Sequence, residues 1–202
     1  MTPIRLIAAL ALLLLAGCGT TPPSTYHLLD ARGTTLPSGD SPSLGVGPIM
    51  IPEYLKRNGL VYRKDSNTLE IASYERWAEP LADGIERVLS LNLASLLDTQ
   101  NVRTFPWNRA RAPQFSVRVR IVALDAKPGK AELVAEWLLL QPGDPDTELT
   151  RQLTTLSAPL GGDTAGGAAV ASAYSDLLMQ LSERISAEIR EAANQAALQN
   201  DD

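Results

Sequence analysis

The sequence predicts a single α+β domain in which two amphipathic helices pack on one face of a mixed or mostly antiparallel sheet. Three observations carry this expectation. Apolar residues recur at three- and four-residue steps in two long segments, one from Glu79 to Leu97 and one from Val170 to Gln199. Two other segments, Gln114 to Leu124 and Glu132 to Gln141, alternate with a period of two on either side of Lys127-Pro128-Gly129. Strands and helices also follow one another as strands, helix, strands, helix, and 202 residues with 45% hydrophobic content suit one core.

Taken in order, Tyr26 to Asp30 is a short early strand, and Gly33 to Ser43 is a loop rich in Gly, Pro and Ser. Leu44 to Ile51 (LGVGPIMI) is β-prone, and Pro48 within it implies an edge position or a bulge, since proline cannot donate to a ladder. Leu60 to Arg63 and Thr68 to Ala72 flank a polar turn and form a hairpin. The first helix then spans Glu79 to Leu97, with Pro80 tolerated in its first turn. Val102 to Trp107 is a short strand. The long strand Gln114 to Leu124 puts Phe115, Val117, Val119 and Ile121 on one face and Arg118 and Arg120 on the other. If the next turn centres near Pro128, Arg120 faces Glu136 across the hairpin. Pro142 to Pro145 is another turn, Thr147 to Ala158 a more polar strand, and Gly161 to Gly167 a loose connection into the last helix.

Composition excludes several chemistries. One cysteine and one histidine cannot build a Cys/His metal centre or an internal disulfide. With 18 basic and 23 acidic side chains the net charge is -5, and no basic block offers an electrostatic footprint for nucleic acid. There is no G-x-S-x-G, P-loop, H-E-x-x-H or G-x-G-x-x-G pattern. The paired glycines at 161–162 and 166–167 lack the Gly-Lys-Ser/Thr that a phosphate cradle needs. His27 is most economically a polar residue on an edge strand. A protein without enzymatic activity, metal or cofactor is expected.

The N-terminus is the most informative stretch. Met1 to Cys18 (MTPIRLIAALALLLLAGC) has a charged start, an apolar run and small residues before a cysteine. The run is too short for the roughly 20 apolar residues that cross a bilayer. Leu15-Ala16-Gly17-Cys18 matches the bacterial lipobox, in which the cysteine thiolate accepts a diacylglyceryl group and the amine freed by cleavage is acylated. Residues 1–17 are therefore expected to be a signal peptide, residues 18–24 a lipidated Cys18 and short tether, and residues 25–200 the folded domain. Two or three acyl chains make a stable anchor where one gives marginal binding. Gly19, where Asp would retain a lipoprotein in the inner membrane, points to the outer membrane and to a lipid-anchored protein facing the periplasm.

Two further segments stand out: Pro52-Glu53-Tyr54-Leu55-Lys56-Arg57, and Arg76-Trp77-Ala78-Glu79-Pro80-Leu81 at the expected helix entry. Tyr54 and Trp77 read either as aromatics at the rim of the core or as residues placed for contact with another chain. With the lipobox, Tyr26-His27-Leu28, the stretch from Val46 to Arg57 and Leu91-Asn92-Leu93, these segments make the chain resemble the PqiC family, also described as ABC-type transport auxiliary lipoproteins. That resemblance implies a non-catalytic subunit of an MCE-type intermembrane lipid transport system. It implies as partners an MCE-domain, PqiB-like protein with its membrane permease, docking of that component at the outer membrane, and support of envelope integrity. Cys18 carries over as the lipidation site, and Tyr54, Arg57 and Trp77 as expected partner-binding positions. Analogy with ring-forming transport partners implies a homo-oligomer. The competing readings are a lipoprotein plug or chaperone for an outer-membrane β-barrel, and an enzyme acting on lipid or peptidoglycan.

Overall fold

A computed structural model describes residues 22–108, 111–140, 148–161 and 166–199, so the lipobox and the turn at 142–145 lie outside the described residues. Among those residues the domain is α+β, with eight strands in one mixed sheet and two long helices. The strands are β1 (Thr25–His27), β2 (Leu44–Met50), β3 (Gly59–Arg63), β4 (Leu69–Trp77), β5 (Val102–Thr104), β6 (Phe115–Lys127), β7 (Lys130–Leu140) and β8 (Glu148–Pro159). Helix α1 is Leu81–Leu97 and α2 is Gly167–Gln199; a short 3-10 turn covers Glu53–Leu55.

Strand β6 organises the sheet. One side pairs antiparallel with β7, which pairs antiparallel with β8. The other side is shared: its first half runs parallel to β2, while Ala126 near its end pairs with Tyr62 of β3. The sheet therefore forks, one branch continuing from β2 to β5 and the other from β3 through β4 to β1. Both helices lie on the face lined by Phe115, Val117, Val119 and Ile121 of β6 and by Leu133, Trp137 and Leu139 of β7. The α1 residues Ile85, Val88, Leu89 and Leu93 and the α2 residues Leu177, Leu178, Leu181 and Ile185 complete a core from which water is excluded. Arg120 does pair with Glu136 on the opposite face, where Glu136 also binds Arg151 of β8. Hydrogen bonds from Arg120 and then Arg151 hold the Glu136 carboxyl below its usual range.

Two local expectations hold in sharper form, at Pro48 and His27, and two element boundaries are corrected. Strand β2 is interior, and Pro48 sits at a register shift between Val46 and Ile49, the irregularity of the two alternatives the proline allowed. Gly47 before it has φ +109°, a conformation that favours glycine. Strand β4 runs on to Trp77, and α1 starts only at Leu81, because Pro80 is the N-cap with an extended ψ of 131°. Strand β5 stops at Thr104, short of Pro106, which has no N–H to extend the ladder. His27 does lie on an edge strand, yet its side chain is only 9% exposed because it packs beneath the start of α2.

Candidate functional site

The two distinctive segments meet at the fork of the sheet. Residues 51–58 cross from the end of β2 to the start of β3, and the Trp77 amide donates to the Asn58 carbonyl, bringing 76–81 alongside. Most motif residues have a structural reason. Val46 and Leu55 are core, and Pro52 caps the 3-10 turn. The Tyr54 hydroxyl donates to Asp125 Oδ1 at 3.1 Å and accepts from the Leu124 amide, while Arg63 donates to the other Asp125 oxygen at 2.6 Å and lies over the Tyr54 ring. Burial first, then the Asp125 charge, pushes the Tyr54 phenol up, against the Leu124 amide hydrogen bond. Glu79 binds Arg87 at 2.7 Å, and Arg87 also donates to the Leu29 carbonyl. Ala78 donates its amide to the His27 carbonyl, and Leu81 is core.

The expected contact surface must be redrawn around Trp77. It is 7% exposed, and its ring stacks on Tyr174 of α2 with centroids 6.1 Å apart and planes at 24°. A ring so covered fits the reading of Trp77 as an aromatic of the core. Tyr54 is half-buried and acts within the domain, through Asp125. Arg57 is different: it is exposed and makes no hydrogen bond or ion pair among the described residues. Lys56 beside it pairs with Glu53 at 2.9 Å, and both side chains are well exposed.

Between these residues lies a cavity of about 470 Å³, lined by Ile49, Met50, Ile51, Pro80, Leu81 and Ala82 on its apolar side and by Lys56, Arg57 and Asn58 on its polar side. The lining brings together the end of β2, the 52–58 connection and the first turn of α1, hence both motif segments. It contains two cations and no carboxylate. Among the described residues no three His, Cys, Asp or Glu side chains converge as metal ligands.

Two positioning features escaped the sequence reading. Asn92 is fully buried, and its Oδ1 accepts the amides of Arg32 (2.8 Å) and Gly33 (3.1 Å), pinning the segment that follows β1 across α1. A polar residue inside the apolar stripe of α1 was the available signal. The second is Glu75, which accepts the Tyr62 hydroxyl at 2.6 Å and the Gly167 amide at 2.8 Å, with His27 Nε2 3.8 Å away. A Cβ at Gly167 would come within 2.3 Å of that ring, which explains glycine at this helix start.

Burial alone would raise the Glu75 carboxyl, but the Tyr62 and Gly167 hydrogen bonds and the His27 charge outweigh it, and the net shift is downward from 4.5. A carboxyl depressed in the folded state stabilises fully above its unfolded pKa, and that contribution is lost as pH falls through the folded value. Glu75→Gln should therefore lower the unfolding midpoint at neutral pH and flatten its fall on acidification below about pH 4.5. Denaturant midpoints measured across pH check this; parallel curves for both proteins would count against it.

The fold, the fork and the covered motif residues together define a class. The chain belongs to the ABC-type transport auxiliary lipoprotein component family, whose pattern it matches over residues 26–186. Among curated relatives it is similar to the intermembrane transport lipoprotein PqiC of Escherichia coli (strain K12), with 29% identity over 142 residues, covering 68% of this chain and 74% of that one. The protein of the same name in Shigella flexneri matches to the same extent. The fold recurs in a crystal structure of a Xanthomonas campestris protein, with TM-score 0.70, 16% identity, and coverage of 87% of this chain and 99% of that one. It recurs again in a crystal structure of an uncharacterized protein at TM-score 0.66 and 23% identity, covering 83% and 99%.

Proposed function

We propose that this chain is a lipid-anchored, non-catalytic adaptor that holds the MCE-domain component of an intermembrane lipid transport system at the outer membrane, and so supports envelope integrity. The observation that carries the reading is Arg57: a cation within a distinctive segment, exposed and without a partner among the described residues, at the rim of the cavity where both segments meet. Arg57 is the direct contact in this scheme. Tyr54 holds the contact segment through Asp125, and Trp77 supports it from the core. Cys18 supplies the anchor. From Cys18 to Thr25 the chain spans at most about 25 Å, so the domain stays close to the membrane and docking becomes nearly intramolecular, with a raised effective concentration.

The test places a photo-crosslinking side chain at Arg57, and as a control at exposed Leu198, in cells that express the complete transport system. Crosslinks to an MCE-domain protein at Arg57 and not at Leu198 are expected. Capture of an outer-membrane β-barrel protein instead would favour the plug or chaperone reading. In parallel, Cys18→Ser should leave the protein unacylated and out of the membrane fraction, and a product still acylated and membrane-bound would remove the anchor from the scheme.

A further inference from the structure

We infer that the cavity at the sheet fork binds the phosphate-bearing headgroup of an anionic lipid, with the first methylenes of the lipid against its apolar wall. The volume of about 470 Å³ falls within the roughly 300–1,000 Å³ of small-ligand sites. The lining sorts by chemistry. Ile49, Met50, Ile51, Pro80, Leu81 and Ala82 form an apolar side, and polar groups are confined to Lys56, Arg57 and Asn58. A ligand with one anionic end and an apolar remainder matches that division. A peptide strand matches it less well, because each residue brings an N–H and a C=O that need partners, and the apolar side supplies no polar side chain.

The charges are available. Arg57 has no partner among the described residues, and the Lys56–Glu53 pair is exposed enough for Lys56 to exchange its partner at little cost. No lining carboxylate opposes an anion, although the chain as a whole is acidic. Arg57 can present two N–H groups to phosphate in a fixed fork, which an ammonium cannot. The cavity also lies near the tether. Asn58 in its wall is bonded to Trp77, and the next residue, Ala78, to His27 of β1, the strand that the anchor segment leads into. The inference rests on the cavity and not on the docking proposed above, since a partner can dock with or without a lipid in place.

The experiment uses the full lipoprotein reconstituted into vesicles that contain either phosphatidylglycerol or phosphatidylcholine carrying a photoreactive group near the headgroup, with labelled peptides mapped. Labelling by phosphatidylglycerol should concentrate on the peptides bearing 49–51 and 81–82. It should fall about tenfold in Arg57→Glu and by a smaller factor, about two- to threefold, in Arg57→Lys, which keeps the charge but loses the two-donor fork. Met50→Trp, which fills the cavity from a half-exposed position, should also abolish labelling. Labelling spread over the surface, equal labelling by phosphatidylcholine, or indifference to both Arg57→Glu and Met50→Trp would overturn the inference. Complete competition by excess inorganic phosphate, with no competition by soluble short-chain phosphatidylglycerol, would assign the site to free phosphate and overturn the lipid assignment. Met50→Trp that loses lipid labelling but still crosslinks an MCE-domain protein from Lys56 separates this inference from the docking proposal and supports it; thermal unfolding of each variant confirms that the fold is retained.

Discussion

Trp77→Ala should destabilise the domain by about 3–5 kcal/mol, the usual cost of removing a large aromatic from a core. For a protein of this size each kcal/mol lowers Tm by about 2–4 °C, so a drop of about 6–20 °C is expected. The cause is local: the ring fills the space between the end of β4 and Tyr174 of α2, and nothing can collapse into the gap without moving the helix. Trp77→Phe, which keeps an aromatic face against Tyr174 and leaves a smaller cavity, should cost clearly less than Trp77→Ala. This pair of variants separates the two readings of the residue. If Trp77 were a contact residue, alanine would weaken partner capture while leaving thermal stability near wild type.

Asn92→Ala should cost about 2–4 kcal/mol through a different mechanism. One side-chain oxygen accepts two backbone amides in a fully buried position, and alanine leaves both donors without a partner at about 1–3 kcal/mol each. Partial access of water to the Arg32 side of the segment keeps the total below the sum of the extremes. The loss should be regional as well as global. Amide exchange at Arg32 and Gly33 should accelerate far more than exchange at Val119 or Leu133 in the central strands, because the strap opens before the sheet does. Uniform acceleration across the domain, or wild-type protection at Arg32 and Gly33, would contradict the assignment. The strap has other ties, from Asp30 to Ser175, from Arg32 to Asp176 and from Ser38 to Asp98, so its position across both helices should survive the substitution in weakened form.

These effects fall on residues whose chemistry was visible in the chain but whose geometry was not. The sequence places Trp77 at a helix entry because Pro80 is a good first-turn residue and the apolar stripe begins at Leu81. The strand won those positions because Arg76 and Trp77 pair with Gly59 and β1, and pairing partners distant in sequence leave no local mark. Asn92 carries no legible role in the sequence, since a buried amide has meaning only once the segment that needs it is in place. Arg57 is the opposite case: it was singled out from the sequence, and the fold leaves it exposed.

Periodicity was sufficient to establish the α+β class, the two helices, the β6–β7 hairpin and the Arg120–Glu136 pair, because 3.6- and 2-residue repeats and a short turn act over neighbours in the chain. The lipobox, likewise local, was legible without any fold. Tertiary structure alone decided that the sheet forks at β6, that β2 is interior, and that 49–51, 56–58 and 80–82 close around a cavity. Each of these depends on which strands pair across long separations. Pairing is selected by burial of the whole apolar face at once, a condition that no single segment of the sequence can express.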